Sequence, residues 1–135
     1  MARHEVLVVV RRPGPELLVL LRSPKKHGYW LPVAGGVEPD EEPAQAACRE
    51  LGEEVGPGLA GVELEPIPLE LGYEGADGPV VVHAFVADAP SGWEPVLNEE
   101  HVAYRWCRPE EADALVPYPE PRAALAWAAR AGARS

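Results

Sequence analysis

The stretch Arg49-Glu-Leu-Gly-Glu-Glu-Val-Gly56, RELGEEVG, crowds three carboxylates into five residues. The chain already carries a formal net charge of −10, so this crowding adds to an existing self-repulsion. On a helix, Glu50, Glu53 and Glu54 stand at i, i+3 and i+4, where side chains point the same way and can meet. Like charges at that spacing cost a few tenths of a kcal/mol per pair, roughly. A solvated acidic face tolerates this cost and is one reading of E-x-x-E-E alone. A hard divalent cation held by several carboxylate oxygens is the other. Magnesium takes oxygen ligands and keeps places for water and substrate phosphates. It would also let an acidic protein hold a polyanion.

The elements around these residues must position them. Pro43 sits well at a first helical turn, strong helix formers run from Ala44 to Val55, and Gly56-Pro57-Gly58 stops them. On a wheel of 100° per residue, Ala44, Ala47, Cys48, Leu51 and Val55 share a face expected to pack on a sheet. Arg49, one turn before Glu53, is placed to orient that carboxylate. Before the helix, the valine-rich His4 to Arg12 and Glu16 to Arg22 read as a hairpin about Pro13-Gly14-Pro15. Ser23 to Gly28 is a basic loop, and the backbone is expected to turn sharply at Gly35-Gly36. After the helix, strands are expected around Val62 to Tyr73, interrupted by Pro66 and Pro68, then Val80 to Asp88 and His101 to Cys107. Short helices follow from Pro109 to Leu115 and from Pro121 to about Ala131. The mixture gives an α/β (α+β) domain around a mixed sheet.

Composition narrows the function. A length of 135 residues with 47% apolar content suits one domain over 1–135 and argues against disorder. The apolar runs fall far short of the roughly 20 residues that span a bilayer, so a cytoplasmic protein with no membrane partner is expected. The negative charge opposes a nucleic-acid partner. Cys48 and Cys107 form no metal-binding pair and are expected to be reduced, mostly buried thiols.

Gly35 is followed by five residues and Glu41, then seven and Arg49-Glu50-Leu51, one and Glu53-Glu54, one and Gly56. This resembles the Nudix box, G-x5-E-x7-R-E-U-x-E-E-x-G-U, with all seven fixed positions present over 22 residues and Pro57 in place of the last aliphatic. The chain therefore resembles the Nudix hydrolase family. That resemblance implies an α/β/α sandwich around a mixed β-sheet, with the box as loop, helix and loop. Carried over by position, Glu50, Glu53 and Glu54 would ligate magnesium or manganese, with the Gly35 carbonyl, while Glu41 and Arg49 brace the carboxylates. Metal ions would neutralise a diphosphate and activate a water. A glutamate takes its proton: one in the box, Glu50 or Glu53, or one in Asn98-Glu99-Glu100-His101, where Glu100 precedes Glu99 in preference. An exposed loop acid is the alternative for both.

A small-molecule nucleotide is the expected partner. Arg22, Lys25, Lys26 and His27 could meet phosphates or form a solvated basic loop. Trp30 could stack a base or pack in the core, and His83 is expected to face sheet packing. Tyr73, sixteen positions past Pro57, stands where dinucleoside polyphosphate hydrolases of the family carry a tyrosine, although a strand alone explains it. EEHVAYRW followed by PEEADAL is loosely similar to small nucleoside triphosphate and dihydroneopterin triphosphate pyrophosphatases. The expected reaction is cleavage of a nucleoside triphosphate or related compound to monophosphate and pyrophosphate. Dinucleoside polyphosphates come second and ADP-ribose or nucleotide sugars third, with a non-catalytic nucleotide-binding module as a different class. Many family members are homodimers, but no segment here identifies such an interface.

Overall fold

A computed structural model describes residues 2–132. Eight strands form one mixed sheet: β1 (Arg3–Arg12), β2 (Glu16–Arg22), β3 (Trp30–Leu31), β4 (Val33–Gly36), β5 (Leu64–Pro66), β6 (Leu71–Gly75), β7 (Gly78–Asp88) and β8 (His101–Cys107). Three helices cover it: α1 (Pro43–Val55), α2 (Pro109–Leu115) and α3 (Pro119–Gly132). β1 and β7 lie side by side in parallel from Arg3↔Val80 to Arg11↔Asp88, and every other pairing is antiparallel. The hairpin expected at Pro13 forms, but β1 and β2 share just two paired positions before they part. β4 then pairs along the first half of β1, and β8 runs along β2.

Val6 to Val10 are all buried because β1 is covered on both faces, which is why that segment reads as an unbroken apolar run. Val6, Val8 and Val10 meet Ala46, Ala47, Leu51 and Val55 of α1. Leu7 and Val9 turn the other way, into a second core with Ala124, Leu125 and Ala128 of α3 and Ala112 of α2. The result is the expected α/β/α layering.

Pro66 and Pro68 interrupt Val62 to Tyr73 as expected, leaving two separate strands, both on β7. Three expectations change. Gly35 and Gly36 do not turn; they are strand residues paired with Val6 and Glu5. On α1, Ala44 and Cys48 are exposed, while the buried set is Ala46, Ala47, Glu50, Leu51, Glu54 and Val55. The helix is rotated so that two glutamates come under it. Cys107 is the buried thiol and Cys48 an exposed one.

Pro57 also finds its explanation here. It opens a single 3-10 turn, Pro57–Leu59, that exposes the proline and buries Leu59 in the core beneath α1. Gly56, at φ 91°, lets the chain leave the helix against Val96, to whose Cβ an added side chain would come within 3.2 Å. Among the described residues no helix is long and apolar enough to cross a membrane.

Leu51, 4% exposed, ties α1 to β1. Leu51→Ala is expected to lower unfolding stability by about 2–5 kcal/mol, read from the denaturant midpoint.

Candidate active site

Arg49 organises the acids. Its Nε and Nη2 donate to the two oxygens of Glu41 at 2.9 and 3.0 Å, a bidentate fork. Nη1 reaches Glu50 Oε2 at 3.0 Å, and Nη2 also donates to the Gly36 carbonyl at 2.9 Å. Glu53, the expected partner one turn on, lies farther off at 3.5 Å. The guanidinium holds the Glu41 carboxyl down at about 2, aided by the Glu38 N–H at 3.0 Å. The same bond to Glu41, against the cost of burial, raises the Arg49 pKa above its ordinary value.

Gly35 explains how Glu50 fits under the helix. A Cβ there would run into the Glu50 carboxyl, so α1 can press this acid onto β4 because the strand offers bare backbone. Glu54 lies deeper, 3% exposed, with Ala34 N–H at 3.4 Å from its Oε1. Burial first, then the adjacent Glu50, push its carboxyl well above the usual range, and Glu100 adds to this. Glu53 is largely in solvent, its side chain 54% exposed.

The 98–101 turn meets this site. Ser23 N–H donates to the Glu100 carbonyl at 2.8 Å. Glu100 is half-buried and near enough to act on Glu54, whereas Glu99 is exposed. His101, which sequence reasoning passed over as an ordinary strand residue, is 6% exposed with Nε2 at 3.6 Å from Glu54 Oε1. Desolvation lowers its pKa.

A cleft of about 680 Å³ opens on the opposite face of β4. Tyr29 and Tyr118 meet edge to face at 5.4 Å on its wall, with the Arg22 guanidinium 5.6 Å from the Tyr29 ring. Tyr73 also lines it, its hydroxyl donating to Glu5 at 2.8 Å. Lys25 and Lys26 occupy an exposed 3-10 turn outside the lining, and Arg22 Nε reaches the Lys26 carbonyl at 3.3 Å. Trp30 packs half-buried against the α3-side core. His83 is half-buried and stacks on His4, the ring centroids 5.2 Å apart. Neither Tyr29 nor Tyr118 carried a sequence signal, since the sheet and α3 bring them together.

Hard divalent cations take oxygen donors, and Glu50, Glu53, Glu54 and the Gly35 carbonyl supply only oxygen. A buried carboxyl beside a second one, above a strand that a Cβ would obstruct, is a cradle that suits such an ion. In the present rotamers no three acidic, histidine or cysteine side chains converge as a metal cluster among the described residues. Glu50 is turned to Arg49 and Glu53 to solvent.

An α/β/α sandwich with acids gathered along one helix and its preceding loop, across β4 from a nucleotide-sized cleft, defines a class of phosphoanhydride hydrolase. The NUDIX domain matches residues 1–128, and the chain belongs to the Nudix hydrolase family, whose members generally use divalent metal ions. The asymmetrical bis(5'-nucleosyl)-tetraphosphatase of Sus scrofa is 33% identical over 125 residues, covering 91% of this chain and 84% of that protein. The Ap4A hydrolase of C. elegans, in a binary complex, superposes with a TM-score of 0.83 at 28% identity, covering 99% of this chain and 100% of that one. The dihydroneopterin triphosphate pyrophosphohydrolase of E. coli gives 0.79 at 26% identity, with 90% and 91% coverage. An octanoyltransferase of Myxococcus xanthus is 35% identical over 111 residues; the match takes in 74% of this chain but spans only 29% of that protein's length.

Two outcomes follow from this geometry. Glu41 titrates near 2 when folded and near 4.5 otherwise, so its bond to Arg49 stabilises the fold above pH 4.5 and is lost as pH falls toward 2. Glu41→Gln should lower the urea midpoint at neutral pH and flatten its decline through that window. Gly35→Ala should displace the Glu50 carboxylate and reduce hydrolysis at least about 10-fold, while circular dichroism stays that of the wild type.

Proposed function

We propose that this chain, as one Nudix domain over 1–135, is a magnesium- or manganese-dependent hydrolase of nucleoside polyphosphates. Met1 and residues 133–135 of that domain lie outside the described residues. The observation that carries the reading is the complete box folded as a cradle of acids beside an aromatic cleft. In the first reading the substrate is a dinucleoside tetraphosphate. The tetraphosphatase relatives support it, as does Tyr73 in the cleft wall. A nucleoside triphosphate is the second reading, supported by the likeness to the dihydroneopterin triphosphate enzyme.

Glu50, Glu53 and Glu54, with the Gly35 carbonyl, would hold the cation. When bound, it neutralises phosphate charge and lowers the pKa of a coordinated water. Arg49, braced by Glu41, keeps Glu50 against the strand. Glu100 is the first candidate to take the proton of the attacking water. It is the loop acid nearer Glu54, while Glu99 and the box acids Glu50 and Glu53 are the alternatives. Arg22 meets phosphate oxygens, and Lys25 and Lys26 on the same segment draw a polyanion inward. Tyr29, Tyr118 and Tyr73 offer faces and edges to a base. Trp30, packed on the core and absent from the cleft lining, is not assigned to the base.

The test is product chromatography in oxygen-18 water with magnesium across dinucleoside polyphosphates, nucleoside triphosphates and ADP-ribose. The first reading expects a dinucleoside tetraphosphate to give a nucleoside monophosphate plus a nucleoside triphosphate, with the label showing which phosphorus is attacked. The second expects monophosphate plus pyrophosphate from a triphosphate. Glu53→Gln should cost more than the roughly 10–100-fold typical of an outer partner, with the melting temperature unchanged. No product from any compound would leave a nucleotide-binding module.

A further inference from the structure

The cleft wall at the start of β1 carries a carboxylate that the proposed reaction does not use. Glu5 lines the cleft with its side chain 29% exposed, and Glu120 of α3 is the other acid of the lining. A polyanionic substrate gains nothing from either charge. In a chain of net charge −10, an apolar residue at position 5 would continue the run of Val6 to Val10 and oppose such a ligand less. A carboxylate suits this place through what it accepts.

Two bonds hold it. The Tyr73 hydroxyl donates to Oε1 at 2.8 Å, and Arg3 Nη2 donates to Oε2 at 3.1 Å. The sheet sets up the first of these. β1 and β6 flank β7, with Glu5 beside Val82 and Tyr73 beside Val80, so the phenol reaches diagonally over β7 to the acid. An ionised carboxylate only accepts and has about four lone-pair sites, so each oxygen keeps acceptor capacity beyond its one bond. A tyrosine hydroxyl has a single hydrogen, and here it goes to Glu5. The Tyr73 oxygen can therefore only accept as well. Arg3 lies outside the cleft lining. Between them, Glu5 and Tyr73 offer a ligand acceptors and no donor.

The approach to this corner is open. Gly36 pairs with Glu5 from β4, and a Cβ there would meet nothing within 4 Å. The strand beside the acid is bare backbone, which leaves room for a flat ring. Bases differ in what they bring to such a place. Guanine carries a ring N–H next to an amino group, two adjacent donors that a carboxylate can take together, as it takes the fork of a guanidinium. Adenine sets its amino group beside ring nitrogens that only accept, and these oppose a carboxylate. Hypoxanthine keeps the ring N–H but lacks the amino group.

We propose that Glu5, held by Tyr73 and Arg3, selects the base: it takes the paired N–H edge of guanine, so the substrate is a guanine nucleoside polyphosphate. The inference deepens the proposed function and rests on the cleft being its nucleoside site.

The experiment has two arms, each run on the wild type and Glu5→Gln. Calorimetry without metal reads the binding of guanosine, inosine and adenosine diphosphates. Product chromatography with magnesium reads kcat/KM on the three corresponding dinucleoside tetraphosphates. Glutamine keeps the length of the side chain and puts a donor in place of one acceptor oxygen. The wild type is expected to favour guanosine over adenosine about 10–100-fold in both arms, with inosine between. In Glu5→Gln that ratio should fall below about threefold. Equal values for the three bases in the wild type overturn the proposal, and so does a guanosine preference that Glu5→Gln leaves intact. Should Glu5→Gln not fold, Glu5→Leu, apolar like the strand that follows, is read by the same ratio. Where the diphosphates bind too weakly to measure, the kcat/KM ratios decide. Hydrolysis of all three tetraphosphates at equal kcat/KM removes base selection and keeps the hydrolase. A guanosine preference in binding, with no compound hydrolysed, removes the hydrolase and keeps the base-selecting acid. Neither binding nor hydrolysis removes both.

Discussion

Arg49 forms ion pairs with four carboxylates, Glu38, Glu41, Glu50 and Glu53, at 3.7, 2.9, 3.0 and 3.5 Å. In a chain of net charge −10 this one guanidinium makes the crowding along α1 and the loop before it tolerable. Its shape matters as much as its charge. The planar fork takes both oxygens of Glu41 and still has donors for Glu50 and the Gly36 carbonyl. A lysine could not serve three elements from one position. The loop before α1, the helix itself and the end of β4 are therefore held in one register. With its side chain 26% exposed, Arg49 is better shielded than the surface pairs whose net worth is near zero.

That register is useful because β4 is bare at Gly35. Glu50 lies against backbone where any other residue would place a Cβ, and Glu54 follows one turn later in a still drier position. The helix thus spends part of its inner face on acids. Ala46, Ala47, Leu51 and Val55 bring enough apolar contact with β1 to offset this. The site costs stability, and the core beside it supplies what is lost.

The same trade explains what could be read from the sequence. The valines of His4 to Arg12 announced a strand, and the spacing from Gly35 to Gly56 announced the box, because both are local patterns. The helical wheel failed at Ala44 and Cys48 because it sorts positions by hydrophobicity, while α1 turns Glu50 and Glu54 inward against that rule. Such breaks in pattern are expected where function outweighs packing. Gly35 and Gly36 suggested a turn since glycine permits one. The actual reason at Gly35, a close approach of Glu50 from α1, depends on a contact distant in sequence, while at Gly36 an added Cβ would meet nothing. His101 escaped notice likewise: HVAYRWC alternates as a strand should, and nothing nearby reveals that its first side chain meets Glu54.

β4 also explains how an acidic protein can accept a polyanion. Among the described residues Arg22 is the single basic side chain lining the cleft, against Glu5 and Glu120. The cleft therefore suits the aromatic and polar body of a nucleoside better than a chain of phosphates. Gly36 and Ala34 point to that cleft's side of the sheet, while Gly35 and Glu50 meet on the other, as strand alternation requires. β4, bare at Gly35 and Gly36, separates the cleft side from the acid side, and it ends at Gly36. A ligand with its base among Tyr29, Tyr73 and Tyr118 would lead its phosphates over that end toward the carboxylates. There, attraction would depend wholly on a cation held between two sets of negative oxygens. On the proposed reading, the acid cluster and the scarcity of cationic side chains in the cleft are two aspects of one design: most of the phosphate neutralisation would fall to a bound cation, with Arg22 alone contributing from the cleft wall.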